Sequence, residues 1–182
     1  MDNDNYFKAD DYDFPTDIKN EVFEKIFAVS TGKEYELSHG WFPYWDVKID
    51  NKTYEIKRDY WYEKTGNLLV EEFKDLEKKI EGWAYHTTAD FYVVVFNPYE
   101  YYIVNMYQVL NDFFNKISNW SILDIKQKRD KYGNPLPVDK QFITRNWLTP
   151  LDIDVFNPVF KKLDNNKKQK IVEIEEKIDG WY

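Results

Sequence analysis

The sequence predicts an α/β fold in which a mixed central β-sheet is flanked by helices. Three observations carry that expectation. Apolar residues near the start recur at helical spacing, two alternating runs meet across a turn, and Phe91-Tyr92-Val93-Val94-Val95-Phe96 is a continuous apolar, β-prone run.

Taken in order, residues 1–13 form an acidic arm, with five aspartates against Lys8. A helix is expected to begin at Pro15 with Thr16 or Asp17 as cap and to stop at Gly32. Ile18, Val22, Ile26 and Val29 give it one apolar stripe, widened by Phe23 and Phe27. Residues 45–59 read as a β-hairpin: Val47 and Ile49 alternate with Asp46, Lys48 and Asp50, and Tyr54 and Ile56 alternate with Glu55, Lys57 and Asp59.

A third strand is expected at residues 68–73 after the turn at Gly66-Asn67, followed by a charged connection or short helix over 74–81. The run 91–96 fits a central strand covered on both faces, with residues 101–104 pairing beside it across Asn97-Pro98. Val109, Leu110, Phe113 and Phe114 predict a helix over 106–117. A Gly-Asn-Pro-Leu-Pro loop at 133–137 and a closing helix over 165–178 complete the reading. The organisation expected is an acidic arm (1–13), a core (14–120), and a C-terminal extension (121–182) packed on the core as a candidate substrate-recognition element.

The 182 residues are 43% hydrophobic, 19% aromatic and 32% charged, which fits a folded domain and not a disordered polymer. No apolar run reaches the length of a bilayer span, and the N-terminus lacks the basic-then-apolar order of a signal peptide. With no Cys, disulfides and thiolate ligands are excluded; a cytoplasmic location is expected, the host cytoplasm if the protein is viral. A net charge of −8 argues against tight non-specific binding of a polyanion. The charge is uneven, however: Lys126, Lys128, Arg129, Lys131, Lys140 and Arg145 make one basic stretch, and Lys161, Lys162, Lys167, Lys168 and Lys170 another. Such runs are most often solvated faces.

The hairpin holds the chemistry. With Asp50-Asn51 as the two-residue loop, Asp46 lies opposite Glu55; with Asn51-Lys52, it lies opposite Lys57. Either register puts Asp46, Glu55 and Lys57 on one face, with Val47, Ile49, Tyr54 and Ile56 on the other. Two carboxylates suit a hard divalent cation, and an adjacent ammonium suits a reaction that develops negative charge on phosphate. The plain alternative is a hairpin face of ordinary cross-strand charge pairs.

Helix, strand with Asp, turn, and strand with Glu55-Ile56-Lys57 resembles the PD-(D/E)XK nuclease superfamily, whose fold is restriction-endonuclease-like. Tyr54-Glu55-Ile56-Lys57, Thr65-Gly66-Asn67, Leu68-Leu69-Val70-Glu71, Gly82-Trp83 and Thr88-Ala89-Asp90-Phe91 resemble phage- and prophage-type members, over roughly residues 16–104. Trp45 stands where the motif carries Pro, and Pro43 lies upstream. The resemblance implies DNA hydrolysis with Mg²⁺, for which Mn²⁺ would substitute. Asp46, Glu55 and the Ile56 backbone carbonyl would hold the ion, and Lys57 would assist the attacking water. It also implies an acidic residue from the first helix, for which Glu21 is the better placed match and Glu24 the poorer. A strand glutamate is implied too: Glu71 matches, and only one of Glu71 and Glu72 can face the site. Thr88 and Asp90 read as supports for the strand entry.

DNA is the expected partner, with Lys126, Lys128, Arg129 and Lys131 on its backbone; Tyr60, Trp61 and Tyr62, with Arg58 beside them, form a cluster that either stacks on bases or packs in the core or a dimer. A homodimer would be required if the enzyme resolves Holliday junctions, since that reaction needs two active sites. His39 and His86 lack zinc-site spacing and read as loop residues, and no phosphate-binding glycine motif for a nucleotide cofactor occurs. Three other readings stand: a non-catalytic interaction protein on a nuclease-like fold, a nucleic-acid mimic, and an RNA-directed nuclease.

Overall fold

The computed structural model of the protein describes residues 20–38, 44–58, 62–97, 100–128 and 134–162. Its elements are α1 (Asn20–Ser30), β1 (Tyr35–Leu37), β2 (Val47–Ile49), β3 (Lys52–Arg58), α2 (Tyr62–Thr65), β4 (Asn67–Asp75), β5 (Ile80–Glu81), β6 (Phe91–Asn97), β7 (Glu100–Asn105), α3 (Met106–Asn115), β8 (Ser121–Gln127), β9 (Phe142–Pro150), α4 (Ile153–Phe156) and β10 (Val159–Lys162). The fold is α/β with few helices. A six-stranded mixed sheet runs β1-β2-β3-β6-β7-β10, and a four-stranded antiparallel sheet runs β5-β4-β9-β8.

The hairpin forms as its alternation predicts. Val47 pairs with Tyr54 and Ile49 with Lys52, which selects the Asp50-Asn51 loop. Both loop residues have positive φ, 50° and 62°, the handedness that matches the twist of the flanking strands. β3 then pairs in parallel with β6, the only parallel pairing among the described strands. A parallel neighbour requires a crossover, and the chain between them carries α2, β4 and β5.

β6 explains its own composition. Val93 and Val95 pack with Phe23, Ile26 and Phe27 of α1 and with Val47, Ile49 and Ile56. Tyr92 and Val94 pack on the other face with Leu68 and Val70 of β4, Met106, Val109 and Phe113 of α3, and Phe156. Each valine buried this way stabilises the fold by roughly 1.5–3 kcal/mol, so burial on both faces outweighs any need for alternation.

Several expectations change. A second sheet accompanies the central one, and the strand expected at 68–73 belongs to it, running from Asn67 to Asp75. The charged stretch 74–81 is the end of β4, a turn and the short β5. β1, β8, β9 and β10 lie where no strand is predicted. β8 and β9 pair with each other, β9 also with β4, and β10 with β7, so residues 121–162 contribute to both sheets. Of the expected α1 stripe Ile26 is buried and Val29 half-buried, and Phe23 and Phe27 pack beside them against β2, β3 and β6; Ile18 and the side chain of Val22 lie outside the described residues. Gly32, at φ 70°, ends the helix region as expected. The acidic arm, the helix start at Pro15–Asp17, His39 and the closing helix 165–178 lie outside the described residues. No helix among the described residues is long and apolar enough to cross a membrane.

Candidate functional site

Register places the charged residues. Asp46 precedes β2, and its N–H donates at 2.8 Å to the carbonyl of Tyr54, the residue that already pairs with Val47. Beyond that point β2 no longer covers the edge of β3. The Asp46 carboxylate takes over: Oδ2 accepts the Ile56 N–H at 2.6 Å. A residue's N–H and C=O share one edge of a strand, so the Ile56 carbonyl faces this same uncovered edge.

Glu55 and Lys57 extend from one face of β3. The Lys57 ammonium lies 2.5 Å from Glu55 Oε1 and 3.3 Å from Asp46 Oδ2, so it bridges the two carboxylates. The carboxylate side chains are 7% and 4% exposed and Lys57 is 28% exposed. Glu55 Oε2 also accepts a hydrogen bond from Thr87 Oγ1 at 3.1 Å. The three charged residues sit in a cavity of about 450 Å³ lined also by Glu24, Leu69, Glu71 and the segment around Trp83.

Burial dominates the electrostatics. It raises the Glu55 carboxyl above its ordinary range; Asp46 adds to the rise, while Lys57 and Thr87 pull against it. Burial alone would lower the Lys57 ammonium, but Glu55 and Asp46 outweigh it and hold the group above its ordinary value. Glu71 is raised by burial as well, opposed by Lys57, Lys74 and the backbone N–H of Trp83. Glu55 and Glu71 therefore resist ionisation, beside a lysine that stays charged.

The remaining predicted residues divide. Glu71 lines the cavity, whereas Glu72 Oε2 accepts from Trp147 Nε1 at 2.6 Å, with a bulge in the β4–β9 pairing between Glu71 and Phe73. On α1 Glu24 lines the cavity; the side chain of Glu21 is outside the described set. Arg58 also lines it, with its guanidinium 4.5 Å from the Phe23 ring centroid and lowered to about 10 by burial. Lys126 and Lys128 are exposed on and just after β8, away from the cavity lining. Tyr60, Trp61, Arg129 and Lys131 lie outside the described residues. Asp90 supports the strand entry: its Oδ2 accepts from Thr53 N at 2.8 Å and from Thr53 Oγ1 at 3.1 Å. Thr88 donates its N–H to the Tyr44 carbonyl at 2.8 Å.

No protein-family model, curated protein or solved structure matches this chain.

Sequence reasoning gave no place in the site to Thr87 or Lys74, and it named Gly82-Trp83 only as part of the resemblance. Thr87 carries no periodic signal, because it lies in the loop before β6 and reaches Glu55 only through the fold. Gly82 is fixed by close approach: a Cβ there would lie 2.4 Å from the Glu71 carbonyl oxygen. Its N–H meanwhile donates to the Glu72 carbonyl at 2.7 Å. Gly82→Ala is expected to destabilise the protein by roughly 1–3 kcal/mol, because backbone must move to admit the methyl group. Thermal melting checks this, and an unchanged Tm would contradict the close approach.

Proposed function

We propose that the chain is a divalent-metal-dependent nuclease that hydrolyses phosphodiester bonds in DNA, on a restriction-endonuclease-like fold related to the PD-(D/E)XK superfamily. The observation that carries this reading is the Lys57 ammonium held between two nearly buried carboxylates at the uncovered edge of β3.

The donor set fits Mg²⁺ or Mn²⁺. Among the described residues no group of three or more His, Cys, Asp or Glu side chains is placed to hold a metal ion. Mg²⁺ does not need one: it is commonly held by one or two carboxylates, with waters and substrate phosphate completing an oxygen shell. Asp46, Glu55 and the Ile56 carbonyl would hold the ion. When bound, it supplies positive charge against the phosphate and makes water more acidic. The protein's own groups do the rest. The Ile56 N–H fixes the rotamer of Asp46, and Thr87 fixes Glu55. Lys57 orients the attacking water and offsets negative charge developing on the phosphoryl oxygens, in surroundings dry enough to strengthen both effects.

Metal binding tests this without any need for substrate. Titration calorimetry with Mn²⁺ is expected to give saturable binding to the wild type and none to an Asp46→Asn/Glu55→Gln double variant. Equal binding by both would remove the basis of the proposal.

The Glu55 environment sets the pH dependence. The carboxylate is the working form, and its proton affinity is raised by burial, so activity should fall as pH drops toward the raised value. Thr87→Val removes a hydrogen bond to the charged form. It is expected to move the acid limb of the pH–rate profile to higher pH, and Thr87→Ser to restore it. A limb that stays in place in Thr87→Val would separate Glu55 from the reaction.

A second reading has one observation in its favour. Lys57 already neutralises both carboxylates internally, as a structural ion triad would. In a non-catalytic interaction protein that triad would only hold the hairpin, and the double variant would alter stability alone.

A further inference from the structure

We infer that the cavity takes DNA as a single strand and excludes an unbroken duplex; this rests on the nuclease reading above and specifies its substrate.

Access is the first argument. Asp46 and Glu55 are 5% and 3% exposed, so a phosphate reaches them only by entering the cavity. The volume, about 450 Å³, suits one small ligand, on the scale of a single nucleotide. A phosphate of intact duplex is flanked by nucleosides that the complementary strand holds back from following it into the site. An unpaired strand turns about its backbone bonds and delivers one phosphodiester with one nucleoside.

The wall supplies the second argument. Leu69 and half-buried Trp83 line the cavity, and the Trp83 ring is backed by Tyr92 with centroids 5.0 Å apart. Bases freed from pairing expose the faces that stack on such a ring, whereas interior bases of a duplex have those faces covered. The Gly82–Glu71 close approach and the Gly82–Glu72 hydrogen bond hold this wall against β4. Charge gives the third. The cavity lining mixes Glu24, Glu71 and Glu81 with Lys74, Arg58 and His86, and His86 Nε2 lies 3.4 Å from Glu81 Oε2. Among the described residues that lining is of mixed sign, on a chain of net charge −8, so it attracts the dense phosphate charge of a duplex less than a basic track would.

The test compares a single-stranded DNA circle with a relaxed, covalently closed duplex circle of the same sequence, in Mg²⁺ and with the full chain. Circles remove end effects, and relaxation removes unpaired bubbles. The single-stranded circle is expected to be opened at least about tenfold faster, the scale of one lost stacking contact. Trp83→Leu should raise KM for the single strand by about tenfold, with Trp83→Phe close to wild type. Misfolding would lower kcat alone, so KM reads the contact. A duplex opened as fast as the single strand, or an unchanged KM in Trp83→Leu, would overturn this inference and leave the nuclease reading standing. If neither circle is opened, both fall.

Discussion

Lys57→Met is expected to lose nuclease activity by roughly 10²–10³-fold, the effect of removing one preorganised group that meets developing charge. It should also destabilise the protein by about 3–5 kcal/mol at neutral pH, because two buried carboxylates lose the cation between them. The stability loss carries its own signature. Glu55 is already raised by burial and by Asp46, and loss of Lys57 raises it further. The folded state then binds more protons than the unfolded state between the ordinary carboxylate value, about 4.3, and the raised one. Stability must fall as pH rises through that window. The deficit relative to wild type should therefore be largest at neutral pH and shrink as pH approaches the ordinary carboxylate range. Chemical denaturation at several pH values reads this, and a deficit independent of pH would mean that the ion triad is not what the substitution removes.

Glu55→Gln separates chemistry from stability. The amide keeps the shape and the contact with Thr87 but removes the charge. Activity is expected to fall by about 10³-fold, since the carboxylate is both an ion ligand and the partner of Lys57. Stability should change little, because ionised Glu55 is disfavoured by burial and Lys57 keeps Asp46. Near wild-type rates in this variant would assign the site a structural role.

How much of this is legible in the sequence depends on the range of each interaction. Parity alone puts Asp46, Glu55 and Lys57 together, because a hairpin pairs residues that are close in the chain. The register needed the positive φ of Asp50 and Asn51, which the residue types permit without requiring. β6 declares itself through Val93, Val94 and Val95, since each face of the sheet demands apolar residues.

β9 hides for the opposite reason. Its buried side chains include Thr144, Asn146 and Thr149, so it shows no apolar alternation. Two of them find partners on the neighbouring strand: Asn146 Nδ2 donates to the Leu123 carbonyl at 3.3 Å and Thr144 Oγ1 to the Ile125 carbonyl at 3.4 Å. β8 does alternate, with Leu123, Ile125 and Gln127 half-buried, but Asp124 and Lys126 on its other face make it read as a charged stretch. The choice between Glu71 and Glu72 is fixed by the bulge in β4 and by Trp147, more than seventy residues downstream, and period two alone does not decide it. Thr87 escapes because a loop residue has no period, and its partner is 32 residues away.

The most direct test of the central claim is single-turnover cleavage of DNA, offered both as a single strand and as a duplex, by wild type and Glu55→Gln, each with Mg²⁺ and with EDTA. Cutting by wild type in Mg²⁺ alone, lost in EDTA and lost in the variant, is the expected result. Cutting that survives EDTA or the variant, or its absence from wild type in Mg²⁺, would contradict the claim that Asp46, Glu55 and Lys57 form a metal-dependent phosphodiesterase site.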